Sequence, residues 1–144
     1  MSIEHNQALV RQLFAALNHG PEALAAARPA VFAPDEVSYF AGQRLDYEAH
    51  ARFDAMVFAA FPDVQYTLNE LLAEGDRVVA RFRARGTQTG AFPGIPATGK
   101  AVAMSAIAIY RVAGGKVVEQ WLEYDMLGLL QQLGVIPAPE QAVA

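Results

Sequence analysis

Apolar residues recur at helical spacing in the first part of the chain and alternate with polar residues in the rest. The first pattern is typical of amphipathic helices, and the second is typical of strands with one buried face. The segments predicted as helices are 4–18, 21–27 and 46–60. Pro21 suits a first helical position, and Asp46 is a suitable N-cap. The segment 31–40 is predicted as a loop and a short strand.

The alternating part of the chain predicts a series of strands joined by short turns. These strands are 64–73, 77–85, 101–112 and 117–124. The Gly-Gly pair at 114–115 suits a tight two-residue turn between the last two strands. With that turn, Gln120 should face Ile109 on the neighbouring strand. By the same register, Leu122 should face Ile107.

Helices followed by strands and a closing helix over 126–133 predict an α+β fold. We expect a cone in which the N-terminal helices pack on one face of a curved antiparallel sheet and leave a pocket between the layers. The chain of 144 residues is predicted to form a single domain over 1–144. Within it, 135–144 is expected to be an extended tail.

The composition narrows the classes of function. Hydrophobic residues make up 53% of the chain, and the net charge is −4 without a basic cluster, so nucleic acid is not expected as a partner. The chain has no cysteine and only three scattered histidines, His5, His19 and His50, so no metal site is predicted. Neither a secretory signal nor a membrane-spanning stretch is recognised, which predicts a cytoplasmic protein.

Several short motifs occur together in a recognisable order. They are FPD at 61–63, EGDRVV at 74–79, GTQTG at 86–90, GIPATGK at 94–100, YRV at 110–112 and GKVVEQW at 115–121. In these motifs the chain resembles the SnoaL-like polyketide cyclases, a branch of the nuclear transport factor 2-like cone fold. The resemblance covers nearly the whole chain. It implies a homodimer, and it implies an intramolecular aldol ring closure catalysed by a carboxylate without metal or cofactor.

The sequence departs from that family at positions that matter for chemistry. Many relatives read Glu-His-Trp-Asp where this chain reads EQWL at 119–122. Gln120 can hold a carbonyl oxygen by hydrogen bonding, but it cannot exchange protons. Leu122 can do neither. If the catalytic carboxylate of the family aligns with position 122, this chain lacks it.

Strand alternation separates two faces of the last strand. Gln120 and Leu122 lie on one face, which we expect to line an apolar pocket. Trp121 lies on the other face, where it could meet a ligand, a dimer surface or solvent. Tyr39 could donate a hydrogen bond to a ligand carbonyl or could be a core aromatic residue. Gln88 is a further candidate for holding a ligand oxygen.

Two sets of ionisable residues are candidates for catalysis. Asp125 ends the last strand and could be an acid/base group at the mouth of the pocket, or it could cap the following helix. His50 and Asp54 are four residues apart on the third helix. They could form a pocket dyad in which the carboxylate orients the imidazole, or they could be an exposed pair.

Two functions remain open from the sequence. The chain could be a cofactor-independent cyclase, isomerase or hydratase that binds an apolar carbonyl compound. Alternatively, it could be a non-catalytic domain that binds an apolar small molecule or dimerises through the same cone.

Overall fold

The computed structural model describes residues 2–137, in which the chain forms helices on one side of a single sheet. The helices are α1 (Ile3–His19), α2 (Pro21–Val31), α3 (Tyr47–Ala60) and α4 (Met126–Gln132). The strands are β1 (Phe32–Phe40), β2 (Gln43–Leu45), β3 (Gln65–Glu74), β4 (Arg77–Thr87), β5 (Ala101–Ala113) and β6 (Lys116–Tyr124). The α+β prediction is therefore confirmed.

The sequence predicted an antiparallel sheet, but the sheet is mixed. Its strand order is β2-β1-β6-β5-β4-β3, and β1 pairs with β6 in parallel. The pairing shifts between Phe32 and Val37, a stretch that contains Pro34 and Asp35. These two strand-breaking residues led to the prediction of a loop, but the irregularity accommodates them and a nine-residue strand forms.

The helix boundaries agree with the sequence except at the end of α2. This helix continues through Pro29 to Val31, beyond the end predicted near residue 27. Proline removes a single backbone donor here, close to the end of the helix. The buried side chains of Leu24, Arg28 and Val31 hold the last turn against the rest of the protein.

A β-bulge changes the predicted register of the β5–β6 hairpin. The turn at 114–115 pairs Ala113 with Lys116 as expected, but the register shifts by one between Arg111 and Val112. Beyond this point Gln120 faces Tyr110, and Leu122 faces Ala108. The prediction that these residues face Ile109 and Ile107 was therefore wrong, because one extra residue of β6 is accommodated next to the turn.

The loop between β4 and β5 is fixed by hydrogen bonds from a buried glutamine. The Gln88 backbone N–H donates to the Lys100 carbonyl (2.9 Å), and its side-chain Oε1 accepts from Thr98 Oγ1 (2.7 Å). The loop also rests on α3, because the Gly90 N–H donates to the Ala60 carbonyl (3.1 Å). At its base, hydrogen bonds from Thr87 lower the pKa of Asp63.

Gly90 should tolerate no side chain. A Cβ at this position would lie 2.0 Å from the carbonyl oxygen of Ala59, a backbone atom that cannot move independently of α3. Gly90→Ala is therefore expected to lower the free energy of unfolding by about 3 kcal/mol, measured by urea denaturation.

Gly94→Ala is the matched control in the same loop. Gly94 has a φ of 77° but no neighbouring atom within 4 Å of the added Cβ. Only the left-handed backbone conformation opposes this change, at about 1 kcal/mol. Equal losses for the two variants would contradict close packing of the loop on α3.

Candidate functional site

A cavity of about 130 Å³ lies between the helices and the inner face of the sheet. Most of its wall is apolar and aromatic, and Phe40, Phe53, Phe82 and Leu122 are typical of it. The polar side chains in the wall are His50, Asp54, Tyr66, Arg85, Tyr110, Gln120 and Tyr124. A mostly apolar cavity with a few convergent polar groups is the usual form of a small-molecule site.

Four charged or ionisable side chains meet at one end of this cavity. Glu36 Oε1 lies 2.8 Å from His50 Nδ1, and Asp54 Oδ2 lies 3.5 Å from His50 Nε2. Arg28 Nη2 forms an ion pair with the same oxygen of Asp54. The exposed fractions of Glu36 and His50 are 1% and 3%. His50 therefore stands between two carboxylates inside the protein.

Local structure explains why these groups converge. Alternation along β1 turns Glu36, Ser38 and Phe40 inward, and all three are buried. Helical spacing places His50 and Asp54 one turn apart on the same face of α3. Phe32 and Phe40 contact the His50 ring edge-on, with centroids 4.9 and 5.0 Å away.

The hydrogen bonds specify the state of the His50 ring. Glu36 can only accept when it is ionised, so Nδ1 carries the hydrogen of the 2.8 Å bond. Ser38 Oγ donates to the other oxygen of Glu36 at 2.7 Å, which fixes this carboxylate from its second side. Nε2 therefore faces Asp54, and these two groups can share one proton.

A tyrosine and a glutamine form a second polar group in the cavity wall. Tyr110 and Gln120 face each other across β5 and β6, and both are buried and line the cavity. Burial raises the pKa of Tyr110 far above its usual value, and the negative charge of Asp54 adds to this effect. Burial and the negative charge of Asp54 also raise the pKa of Tyr66. Both phenols therefore keep their protons and can donate hydrogen bonds.

The structure brings four of the eight predicted site residues to the cavity. His50, Asp54, Gln120 and Leu122 line it, and the face of β6 predicted to be the pocket wall is indeed the inner face. His50 is buried, which contradicts the alternative of an exposed pair with Asp54. Whether these side chains act on a ligand stays a prediction.

The other predicted residues lie outside the cavity. Asp125 is exposed and caps α4, where its Oδ1 accepts from the Gly128 N–H at 2.9 Å. Gln88 is buried, but the loop uses both ends of its amide. Tyr39 and Trp121 stack on each other on the outer face of the sheet, with ring centroids 6.1 Å apart. Arg77 lies over the Trp121 ring at 5.7 Å.

Sequence reasoning missed Glu36, Ser38, Arg28 and Tyr110. Alternation over 36–40 was the available signal for the first two, but the segment had been predicted as a loop and a short strand. Arg28 lay beyond the predicted end of its helix. The predicted register placed Ile109 opposite Gln120, and the bulge places Tyr110 there instead.

Two other expectations concern metals and membranes. Within residues 2–137 there is no group of three or more histidine and acidic side chains placed to hold a metal ion. None of the helices in this part of the chain has the length and apolar character needed to cross a bilayer. The expected homodimer stays a prediction.

The fold and the enclosed cavity define an α+β cone of the nuclear transport factor 2-like class. The model of the SnoaL-like polyketide cyclase family matches residues 7–133, so the chain belongs to this family. A comparison with curated protein sequences gives no significant match.

Solved structures with this fold include proteins named for different reactions. AclR from Streptomyces galilaeus, a candidate hydroxylase, is 31% identical over 94% of this chain and 100% of its own, with a TM-score of 0.86. A candidate SnoaL-like polyketide cyclase from Jannaschia sp. CCS1 is 26% identical over 95% and 97%, with a TM-score of 0.86. IdmH from Streptomyces antibioticus, a candidate polyketide cyclase, is 29% identical over 90% and 98%, with a TM-score of 0.78.

Removing the buried carboxylate should destabilise the protein. Glu36→Leu leaves His50 Nδ1–H and the Ser38 hydroxyl without their acceptor inside the protein. We expect a loss of about 3 kcal/mol in the free energy of unfolding, measured by chemical denaturation. Glu70→Leu removes a carboxylate from an exposed ion pair with Arg81, and should change stability by less than about 1 kcal/mol. A similar effect of the two substitutions would contradict the buried pairing.

The raised tyrosine pKa values predict a loss of stability at alkaline pH. In the unfolded chain Tyr66 and Tyr110 release their protons near pH 10, whereas in the folded chain they retain them. Stability should therefore be unaffected below pH 10 and fall above it, by at most about 1.4 kcal/mol per pH unit for each of the two groups.

Tyr110→Phe provides the measurement of this effect. The variant should show a shallower decline of unfolding free energy between pH 10 and 11.5 than the parent. When phenolate absorbance is followed against pH, the parent should show the ionisation of Tyr110 only as it unfolds. The variant should lack this ionisation. Ionisation of all five tyrosines near pH 10 in the folded parent would rule out the buried phenols.

Proposed function

We propose that this protein is a cofactor-independent enzyme that moves a proton on an apolar carbonyl compound bound in the cavity. The observation that carries the proposal is the pair of half-buried Asp54 and buried His50, which lines the cavity and in which Glu36 holds His50 from behind. A carboxylate and an imidazole in contact with a bound ligand are the side chains most suited to general acid/base catalysis.

The cavity wall supports an apolar substrate. Aromatic and aliphatic side chains of α1, α3 and the inner sheet face make up most of the wall, and a few polar groups, Asp54 among them, interrupt it. Removal of water from such a site strengthens the interactions of each remaining charge and hydrogen-bond donor. A hydrophobic ring system with one or more carbonyl groups fits this distribution.

The proposed step begins with a C–H bond next to a carbonyl group. The proton passes to the Asp54–His50 pair, and the electron pair of the broken bond becomes an enolate. If the proton returns at another atom, the result is an isomerisation. If the enolate carbon attacks a second carbonyl of the same molecule, a C–C bond closes a ring and the stored proton goes to the new alkoxide oxygen. Each route needs the same proton-holding pair.

Asp54 is the favoured acid/base group because its carboxylate lies in the cavity wall, whereas that of the other candidate does not. Asp125, the other candidate, is exposed and caps α4. Asp54 lines the cavity and is held by Arg28 and His50. Because position 122 is leucine, β6 carries no carboxylate at that point. Asp54 on the opposite wall takes the role of the acid/base group in this proposal.

A non-catalytic binding domain is the second candidate. The observation that favours it is the pair Gln120 and Leu122, which stand where many relatives carry groups able to transfer protons. In that case the cavity would hold an apolar ligand without changing it.

Proton exchange on a simple ketone separates the two candidates. We expect the protein to accelerate the exchange of the α-protons of 2-tetralone in D₂O, followed by NMR at a pH where the uncatalysed exchange is slow. Asp54→Asn removes the proton acceptor and should lower the catalysed rate by about 100-fold or more. Asp125→Asn keeps a helix-capping side chain outside the cavity and should leave the rate unchanged.

Three results would count against the enzyme. Binding of 2-tetralone without faster exchange would favour the binding domain. Loss of exchange in Asp125→Asn, with Asp54→Asn fully active, would move the catalytic group to the end of β6. Absence of both binding and exchange across aryl ketones and aryl β-keto esters would contradict either use of the cavity.

A further inference from the structure

Two hydrogen-bond donors in the cavity wall have no hydrogen-bond partner in the described part of the chain. The exposed fraction is 2% for Tyr110 and 5% for Gln120. Among residues 2–137, the Tyr110 hydroxyl forms no hydrogen bond, and neither does the Gln120 side-chain nitrogen. Both residues line the cavity, and neither donor atom is sealed off from it, so both donors are open to a ligand atom that enters it.

The sheet aims both side chains at the same part of the cavity. Tyr110 and Gln120 are direct partners across β5 and β6 and lie on the inner face. Partners of this kind have Cβ atoms about 5 Å apart. Gln120 Oε1 lies 3.5 Å from Ser38 Oγ, and Nε2, the other end of the amide, makes no hydrogen bond with the described residues.

We infer that Tyr110 and Gln120 form a two-donor site for a single carbonyl oxygen of the ligand. The inference rests on the proposed function, because it takes the same cavity to be the ligand site. A carbonyl oxygen has two lone pairs and can accept from a phenol and an amide together. Both donors are neutral, so they suit a neutral ketone and gain strength as negative charge develops on its oxygen.

The position of Asp54 fits this arrangement. Asp54 lines the same cavity as the two donors, and its negative charge adds to the effect of burial in raising the pKa of Tyr110. A carboxylate accepts hydrogen bonds and repels a carbonyl oxygen, so the oxygen should turn toward Tyr110 and Gln120. The C–H groups next to the carbonyl are then directed to the side of Asp54 and His50.

Unpaired donors should make the site selective for ligands that carry the oxygen. A hydrocarbon of the same shape fills the cavity but leaves both donors unsatisfied and without water. The probes are therefore 2-tetralone and tetralin, which share a carbon skeleton and differ by the oxygen atom. Their dissociation constants are measured by calorimetry with the intact protein.

We expect the parent to bind 2-tetralone more tightly than tetralin. Tyr110→Phe and Gln120→Leu should each reduce this preference by about tenfold or less while retaining tetralin binding. Tyr39→Phe makes the same chemical change as Tyr110→Phe on the outer face of the sheet and should leave the preference unchanged. The infrared stretch of bound carbonyl-labelled 2-tetralone should lie lower in the parent than in either cavity variant.

The outcomes distinguish this inference from the function on which it rests. Equal affinity of the parent for the two probes, or a preference unaffected in Tyr110→Phe and Gln120→Leu, overturns the donor pair and leaves the cavity as a ligand site. An effect of Gln120→Leu alone removes Tyr110 from the site. Failure of both probes to bind contradicts the proposed function together with this inference. Thermal unfolding of each variant identifies any loss of binding that is due to misfolding.

Discussion

A largely buried chain of ionisable side chains connects the elements that surround the cavity. Arg28 on α2, Asp54 and His50 on α3, and Glu36 on β1 contact one another in that order. Each member depends on its neighbours, because a single buried charge left without a partner is far more costly than the intact pair is stabilising. These contacts therefore help to fix the positions of α2 and α3 relative to β1. The same positions set the distances between the candidate catalytic side chains.

On the opposite wall of the cavity, two hydrogen-bond donors have no partner among the described residues. A bulge beside the 114–115 turn brings Tyr110 opposite Gln120, where both donors face the cavity. In a regular hairpin Gln120 would face Ile109, and the phenol would be paired one position further along. Bulges are a common way of redirecting side chains near functional sites. The proposed acid/base group and the proposed oxygen site thus lie on different layers of the fold, with the cavity between them.

The fold was more predictable than the site because the two depend on different information. Helical and alternating patterns extend over many residues, so α1, α3, β4 and β5 could be identified from sequence. Glu36 depends on an irregularity of several residues in β1, and Tyr110 depends on a single-residue bulge in β6. Hydrophobic periodicity cannot locate such irregularities. Asp125 illustrates the reverse difficulty. Its sequence context suits a helix cap as well as an acid/base group, and its exposure and its hydrogen bond with Gly128 favour the cap.

Family membership and local chemistry also carry different information. The family model matches 7–133, although Gln120 and Leu122 of this chain have side chains that cannot transfer protons. The cone fold determines the shape of the cavity but not the identity of the side chains that act in it. A carboxylate can therefore come from different walls of the cavity. Asp54 lines the cavity and contacts buried His50, whereas Asp125 at the end of β6 is exposed and caps α4. Leucine at position 122 is therefore compatible with the proposed proton transfer from the facing helix.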